Sequence, residues 1–161
     1  MKQTIGITLQ IFVMCISGLV STARAEGLPS VQDFRLEAKE SVSKQSPIMV
    51  LFMSSSCHYC EIVLQDFLLP MQRDPAYKHK VTLRQIEVGS KARLIDFNGK
   101  VTTQNAFANS HQAWSVPTII LFDGKGQVLT SIVGLLTVDF YQAYLDNAID
   151  ESTVRIKAQV N

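Results

Sequence analysis

Cysteine is scarce in this chain. There are three among 161 residues, beside three histidines and one tryptophan. A closed structural zinc site takes four Cys or His ligands. Cys57, His58 and Cys60 stand together in "SSSCHYCEIV" (54–63), and a fourth ligand could come only from a distant histidine, by chance. Covalent haem attachment is excluded as well, because C-x-x-C-H requires histidine where Glu61 follows Cys60. Charge of one sign is also lacking: 15 Lys+Arg against 14 Asp+Glu give a formal net charge of +1. Without a basic block or a basic–aromatic stripe, a nucleic-acid surface is not expected. "KHK" at 78–80 is too short to count and reads as a solvated loop. Internal repeats and low-complexity segments are missing too. Hydrophobic residues, at 47%, are plentiful enough for a real core, and the length suits one ordinary domain.

The first 25 residues read as a secretory signal peptide. Lys2 opens it, "IGITLQIFVMCISGLV" is the apolar stretch, and "STARA" places small residues at Ala23 and Ala25. Gln10 and two glycines interrupt the stretch, which is short for a membrane-spanning helix. A lipoprotein would need cysteine at the cleavage point, and Cys15 lies in mid-segment. Cleavage after Ala25 is expected, leaving residues 26–161 as a single domain in an oxidising, periplasmic compartment where disulfides persist. Cys15 leaves with the leader, so the mature chain keeps Cys57 and Cys60 alone.

Two chemistries remain open for this pair. A staple closing so short a loop would remove little unfolded-state entropy. The alternatives are redox exchange, or a two-thiolate site for a soft ion such as Cu(I). The flanking pattern provides context. "PSVQDFRLEAKESVSKQ" (29–45) predicts a helix with Val31, Phe34, Ala38 and Val42 on one face and Ser30 as its N-cap. "PIMVLFMS" (47–54) is an unbroken apolar run, as in a strand covered on both faces. From Cys57 to about Pro70, Cys60, Val63, Leu64, Phe67 and Leu68 form one buried helical stripe. "VTLRQIEV" (81–88) is a second strand, with Val81, Leu83, Ile86 and Val88 alternating imperfectly. Asn98-Gly99 marks a hairpin within 93–103. A short helix (103–114), a strand (116–122), a turn (123–126), a returning strand (127–134) and a closing helix (137–149) follow. The tail from Asp150 lacks a clear pattern and is expected to fray.

A C-x-x-C beside a strand–helix–strand unit is itself a redox signal. Cys57 falls where the strand ends and the helix begins. Unpaired N–H groups and the positive helix end there favour thiolate over thiol. Cys60 lies one turn further in, more buried, and within reach of a disulfide. The first sulfur attacks a substrate disulfide and the second resolves the mixed disulfide.

"CHYC" at 57–60, "VPT" at 116–118, and "VLTSIVG" followed by a helix (128–149) together resemble the thioredoxin superfamily over about residues 46–149. The resemblance implies an α/β thioredoxin fold: a central mixed β-sheet flanked by helices, with the hairpin-like segment inserted before the helix that precedes the proline. It implies that Pro117 is cis and that the Val116 backbone pairs with an extended substrate segment. It implies Cys57 as nucleophile, Cys60 as resolving cysteine, and no bound cofactor or metal.

The departures are informative. His58 and Tyr59 replace the Gly-Pro of cytoplasmic thioredoxins, and Ser56 replaces the preceding tryptophan. Leu51 occupies the position of the family's buried acid; Glu87 is a candidate substitute, although strand alternation leaves its direction open. The leader and the insertion resemble small periplasmic thioredoxins of the SoxW and SoxS types. Tyr59 resembles the DsbC and DsbG proteins, but the few residues between Ala25 and the first core strand leave no room for their dimerisation domain, so a monomer is expected. His58 either stabilises the Cys57 thiolate when protonated or is a solvent-facing imidazole. His79 and His111 read as surface residues, Glu61 as a solvated first-turn acid, and Trp114 as either a cover over the active site or core packing. The implied function is reduction of exported proteins' disulfides, with a DsbD-like membrane donor as partner. A DsbA-like oxidant served by a DsbB-like acceptor is one alternative. A copper-delivery protein is another.

Overall fold

The run "IMVLFM" forms the strand Ile48–Met53, and all six residues are buried. Alternate side chains of a strand point to opposite faces, and here they feed two separate cores. Met49, Leu51 and Met53 enter one, while Ile48, Val50 and Phe52 enter the other. That division is why the segment shows no polar–apolar alternation. The computed structural model describes residues 27–159, and the leader expected at 1–25 lies outside the described residues.

In chain order the elements are α1 (Phe34–Lys44), β1 (Ile48–Met53), α2 (His58–Ile62), a π-helical segment (Val63–Leu68), α3 (Leu69–Arg73), a 3-10 turn (Pro75–Tyr77), β2 (Thr82–Glu87), β3 (Arg93–Ile95), β4 (Val101–Thr103), α4 (Gln104–Ser110), β5 (Thr118–Phe122), β6 (Val128–Val133) and α5 (Val138–Ala158). The main sheet has the order β2-β1-β5-β6. β1 and β2 are parallel, and the other two pairs are antiparallel. Residues of α2, the π segment, α3 and α5 cover one face, including Cys60, Leu68, Tyr141 and Leu145. Phe34 of α1, Leu94 of β3 and Phe107 of α4 cover the other. This is the α/β thioredoxin fold, with its central mixed sheet between helical layers.

The predicted hairpin forms as a separate two-stranded sheet of β3 and β4. Asp96 Oδ1 accepts the N–H groups of Asn98 and Lys100, and Gly99 takes the positive φ of 82° that the turn requires. The imperfect alternation of β2 also has a cause. Val81 and Leu83 pack on the cysteine side of the sheet, whereas Ile86 and Val88 pack on the other. One strand therefore contributes to both cores.

Three local expectations are corrected. The helix after Cys57 does not stop at Pro70 but continues to Arg73. Proline lacks an N–H and crowds the carbonyl four residues back. The widened π turn before it carries the helix past that obstacle, with the Leu69 N–H reaching the carbonyl of Leu64. Helix α1 is capped by Asp33 and not Ser30, and it buries Phe34, Glu37 and Ser41 while Val42 is exposed. Glu37 is held inside by a forked ion pair with Arg84 at 2.8 and 2.6 Å, and Ser41 Oγ donates to the Ser46 carbonyl at 2.6 Å. The tail does not fray: α5 runs to Ala158, and its buried stripe of Tyr141, Leu145, Ala148 and Ile149 continues through Ser152 and Ile156. The Arg155 guanidinium also donates to the carbonyl of Leu129.

Candidate active site

Where β1 ends, the chain makes a tight turn through three serines. The Cys57 N–H donates to the Ser54 carbonyl at 3.0 Å, and the Ser54 and Ser56 hydroxyls lie 3.1 Å apart. Cys57 then caps α2. Its backbone is extended (φ −94°, ψ 107°), and its sulfur accepts the Cys60 N–H at 3.1 Å. Its carbonyl accepts the Glu61 N–H. The sulfur thus occupies the place of a capping oxygen, at the positive end of a helical rod that runs on to Arg73.

Cys57 and Cys60 form a disulfide, with their Cα atoms 5.2 Å apart. Cys57 is half-buried and Cys60 completely buried. The pair is asymmetric, with one sulfur open to a partner and the other shielded by Val63, Leu64 and their neighbours in the cysteine-side core. His58 and Tyr59 between them are exposed, with ring centroids 5.9 Å apart.

The Val116–Pro117 peptide bond is cis. Phe52 pairs with Thr118, so the turn that leads from β1 to Cys57 and the Val116–Pro117 segment lie at the same end of the sheet, and Cys57 and Val116 pack against the same core cluster. The Pro117 carbonyl accepts the Gly134 N–H at 2.7 Å, which ties the segment after β6 to the same place. That segment carries Leu136, Val138 and Phe140, all exposed. Trp114 is 71% exposed, which rules out core packing for it. Sequence reasoning missed Leu136, between the strand-ending Gly134 and α5, and Phe140, on the first turn of α5.

Leu51 is fully buried and apolar on the cysteine side. Glu87 is opposite Met53 in register, and its carboxylate accepts the Ser55 N–H at 3.1 Å. Glu61 is exposed, as expected, and so is His79. His111 is not a free surface residue. It packs between the rings of Phe107 and Phe122, at 4.4 and 4.9 Å, and burial holds its imidazole below the usual histidine range. Those rings belong to the core on the opposite face of the sheet from Cys60. His111 therefore does not join the cysteines in a ligand set. Among the described residues, no group of three or more His, Cys, Asp or Glu side chains is arranged to hold a metal ion.

The family description "Thioredoxin-like domain" matches residues 34–149. Among solved structures, the oxidised mitochondrial thioredoxin 3 of Saccharomyces cerevisiae is similar over 77% of this chain and 94% of its own, with a TM-score of 0.52 and 16% identity. The thioredoxin of Malassezia sympodialis is similar over 82% and 98%, with a TM-score of 0.51 and 16% identity. The reduced thioredoxin pre-protein of Schistosoma mansoni is similar over 78% and 98%, with a TM-score of 0.50 and 17% identity. At such identities the likeness concerns the fold. No curated protein matches the sequence.

Proposed function

The chain belongs to the thioredoxin-like domain family, and on that premise we propose that it is a periplasmic thiol–disulfide oxidoreductase that reduces disulfides in exported proteins. One observation carries this reading: a half-buried cysteine at a helix start, its sulfur holding the Cys60 N–H, beside a second cysteine that is fully buried. In the reduced protein the same N–H and the helix end favour a Cys57 thiolate.

The reaction is dithiol exchange. The Cys57 thiolate attacks one sulfur of the substrate disulfide. That S–S bond breaks, a mixed disulfide forms, and the first substrate thiolate leaves and takes up a proton. The Cys60 thiol loses its proton and attacks the Cys57 sulfur. The second substrate thiolate leaves, and the Cys57–Cys60 disulfide closes. Two electrons have passed to the substrate. A membrane dithiol donor of DsbD type restores the reduced pair, and no bound cofactor takes part.

Substrate engagement uses the Val116 backbone, which makes no backbone hydrogen bond among the described residues, and an extended segment that pairs with it. The exposed apolar side chains around the site suit unfolded or loosely folded partners. The periplasmic location rests on the leader pattern at 1–25, and the mature protein acts as a monomer. The test is reduction of insulin's interchain disulfides, followed as precipitation of the freed B chain in the presence of a small dithiol. The wild-type protein should accelerate it and Cys57→Ser should not. No acceleration by the wild type would count against the reading.

A further inference from the structure

Glu87 stands outside the cysteine motif, and we propose that it is a positioning residue whose carboxylate, held on the turn that delivers Cys57, biases the Cys57–Cys60 pair toward the disulfide and so makes the dithiol a stronger reductant. The inference rests on the thiol–disulfide reading above.

The placement follows from strand geometry. Side chains of β2 alternate, and Val81 and Leu83 enter the cysteine-side core while Ile86 and Val88 enter the other. Glu87 shares the parity of Val81 and Leu83, so it points to the cysteine side. It ends β2 beside Met53, the last residue before the serine turn. Its Oε1 accepts the Ser55 N–H at 3.1 Å. Ser55 sits between Ser54, whose carbonyl receives the Cys57 N–H, and Ser56, which adjoins Cys57. The carboxylate is thus fastened to the turn itself, two residues from the nucleophile.

Glu87 is also held from behind. Its backbone N–H donates to Gln104 Oε1 at 2.8 Å, and Gln104 Nε2 donates to Ser30 Oγ at 2.9 Å. Gln104 is buried, at 6% exposure, on the first turn of α4. Helix α4 and the N-terminal segment at Ser30 therefore fix the strand end from which Glu87 reaches the turn.

The charged and titratable groups on the segments that meet here are few. His58, Tyr59 and Glu61 come from the helix of Cys57, and Glu87 comes from β2. The segments 115–118 and 133–137 bring none. With Leu51 apolar, Glu87 is the acid that the main sheet directs to this turn. A hydrogen bond to a neutral amide does not cancel its charge. Like charges disfavour one another, so the carboxylate opposes the Cys57 thiolate. Because the dithiol form holds that thiolate and the disulfide form does not, the disulfide is favoured.

The test compares wild-type protein, Glu87→Gln and Glu87→Ala in glutathione buffers of known ratio, and titrates reduced Cys57 by its thiolate absorbance. Glu87→Gln keeps an acceptor for the Ser55 N–H and removes only the charge. It should raise the equilibrium constant for reduction of the disulfide by glutathione about three- to tenfold, with tenfold corresponding to about 30 mV, and should lower the Cys57 titration midpoint. Glu87→Ala should shift both in the same direction. The differences should shrink in high salt. A Glu87→Gln protein indistinguishable from wild type in both readouts overturns the proposal, even if Glu87→Ala differs, since the role would then be the hydrogen bond alone. If the wild-type pair fails to equilibrate with glutathione, the oxidoreductase reading falls, while the titration of Cys57 in the chemically reduced proteins still decides the role of Glu87.

Discussion

The Cys60 N–H donates to the sulfur of Cys57 at 3.1 Å, while the side chain of Cys60 itself is completely buried. The two cysteines are therefore unequal, and their substitutions should separate them. Cys60→Ser should trap exported proteins as mixed disulfides on Cys57, because attack is intact and resolution is lost. Cys57→Ser should trap almost none. In the reduced wild-type protein, an alkylating reagent should modify Cys57 first, as peptide mapping would report. Faster modification of Cys60 would reverse the assignment.

His111 should impose an acid limit on stability. Burial lowers its affinity for a proton in the folded state below that of an ordinary histidine, whose pKa is about 6.5. The unfolded chain then binds the proton more readily, so stability is full above about pH 6.5 and falls as pH drops below it. Asp96 and Lys125 line the same cleft, but burial is what lowers the imidazole's proton affinity. Urea midpoints measured from pH 7.5 to 5 should decline for the wild type and stay flatter for His111→Gln. Parallel profiles would show that the Phe107–His111–Phe122 packing does not disfavour the imidazolium.

Ile156 should contribute to stability although it lies in a tail that reads as featureless. It is buried on the last turns of α5, at 7% exposure. Ile156→Ala should cost roughly 2 kcal/mol, the lower end for a buried aliphatic truncation because the helix end can relax. Equilibrium denaturation gives the value directly. A cost near zero would restore the frayed tail.

Arg84 and Glu37 form a largely buried fork between β2 and α1. Removing one partner leaves the other charge without compensation, so Arg84→Ala should destabilise by about 2–4 kcal/mol. The double variant Arg84→Met with Glu37→Leu should recover most of that loss. Additive losses in the double variant would mean that the pair is not coupled.

These residues also mark where the sequence was legible. β1 was readable because its apolar run is short and bounded by Pro47 and the serines, which suits a strand with a core on each face. The Cys60–Leu68 stripe and the Asn98-Gly99 turn were readable because spacing alone determines them. The buried face of α1 was misread because Glu37 and Ser41 are admitted by partners distant in sequence, Arg84 and the Ser46 carbonyl. The end of α5 was missed because Ser152 interrupts the apolar stripe while still packing inside it. At the site, the cysteine pair and the Val116–Pro117 segment were visible as motifs. The direction of Glu87 was not, because β2 feeds both cores and its apolar residues change parity midway.

The reducing direction is the central claim, and the equilibrium of the Cys57–Cys60 disulfide with glutathione tests it most directly. Tyr59 rather than histidine precedes Cys60, so no positive charge adjoins the thiolate from that position. The account predicts a potential of about −180 mV or lower, in the range of thioredoxins and protein disulfide isomerase. A potential near −120 mV, as for the oxidant DsbA, would contradict it and make the protein a disulfide donor.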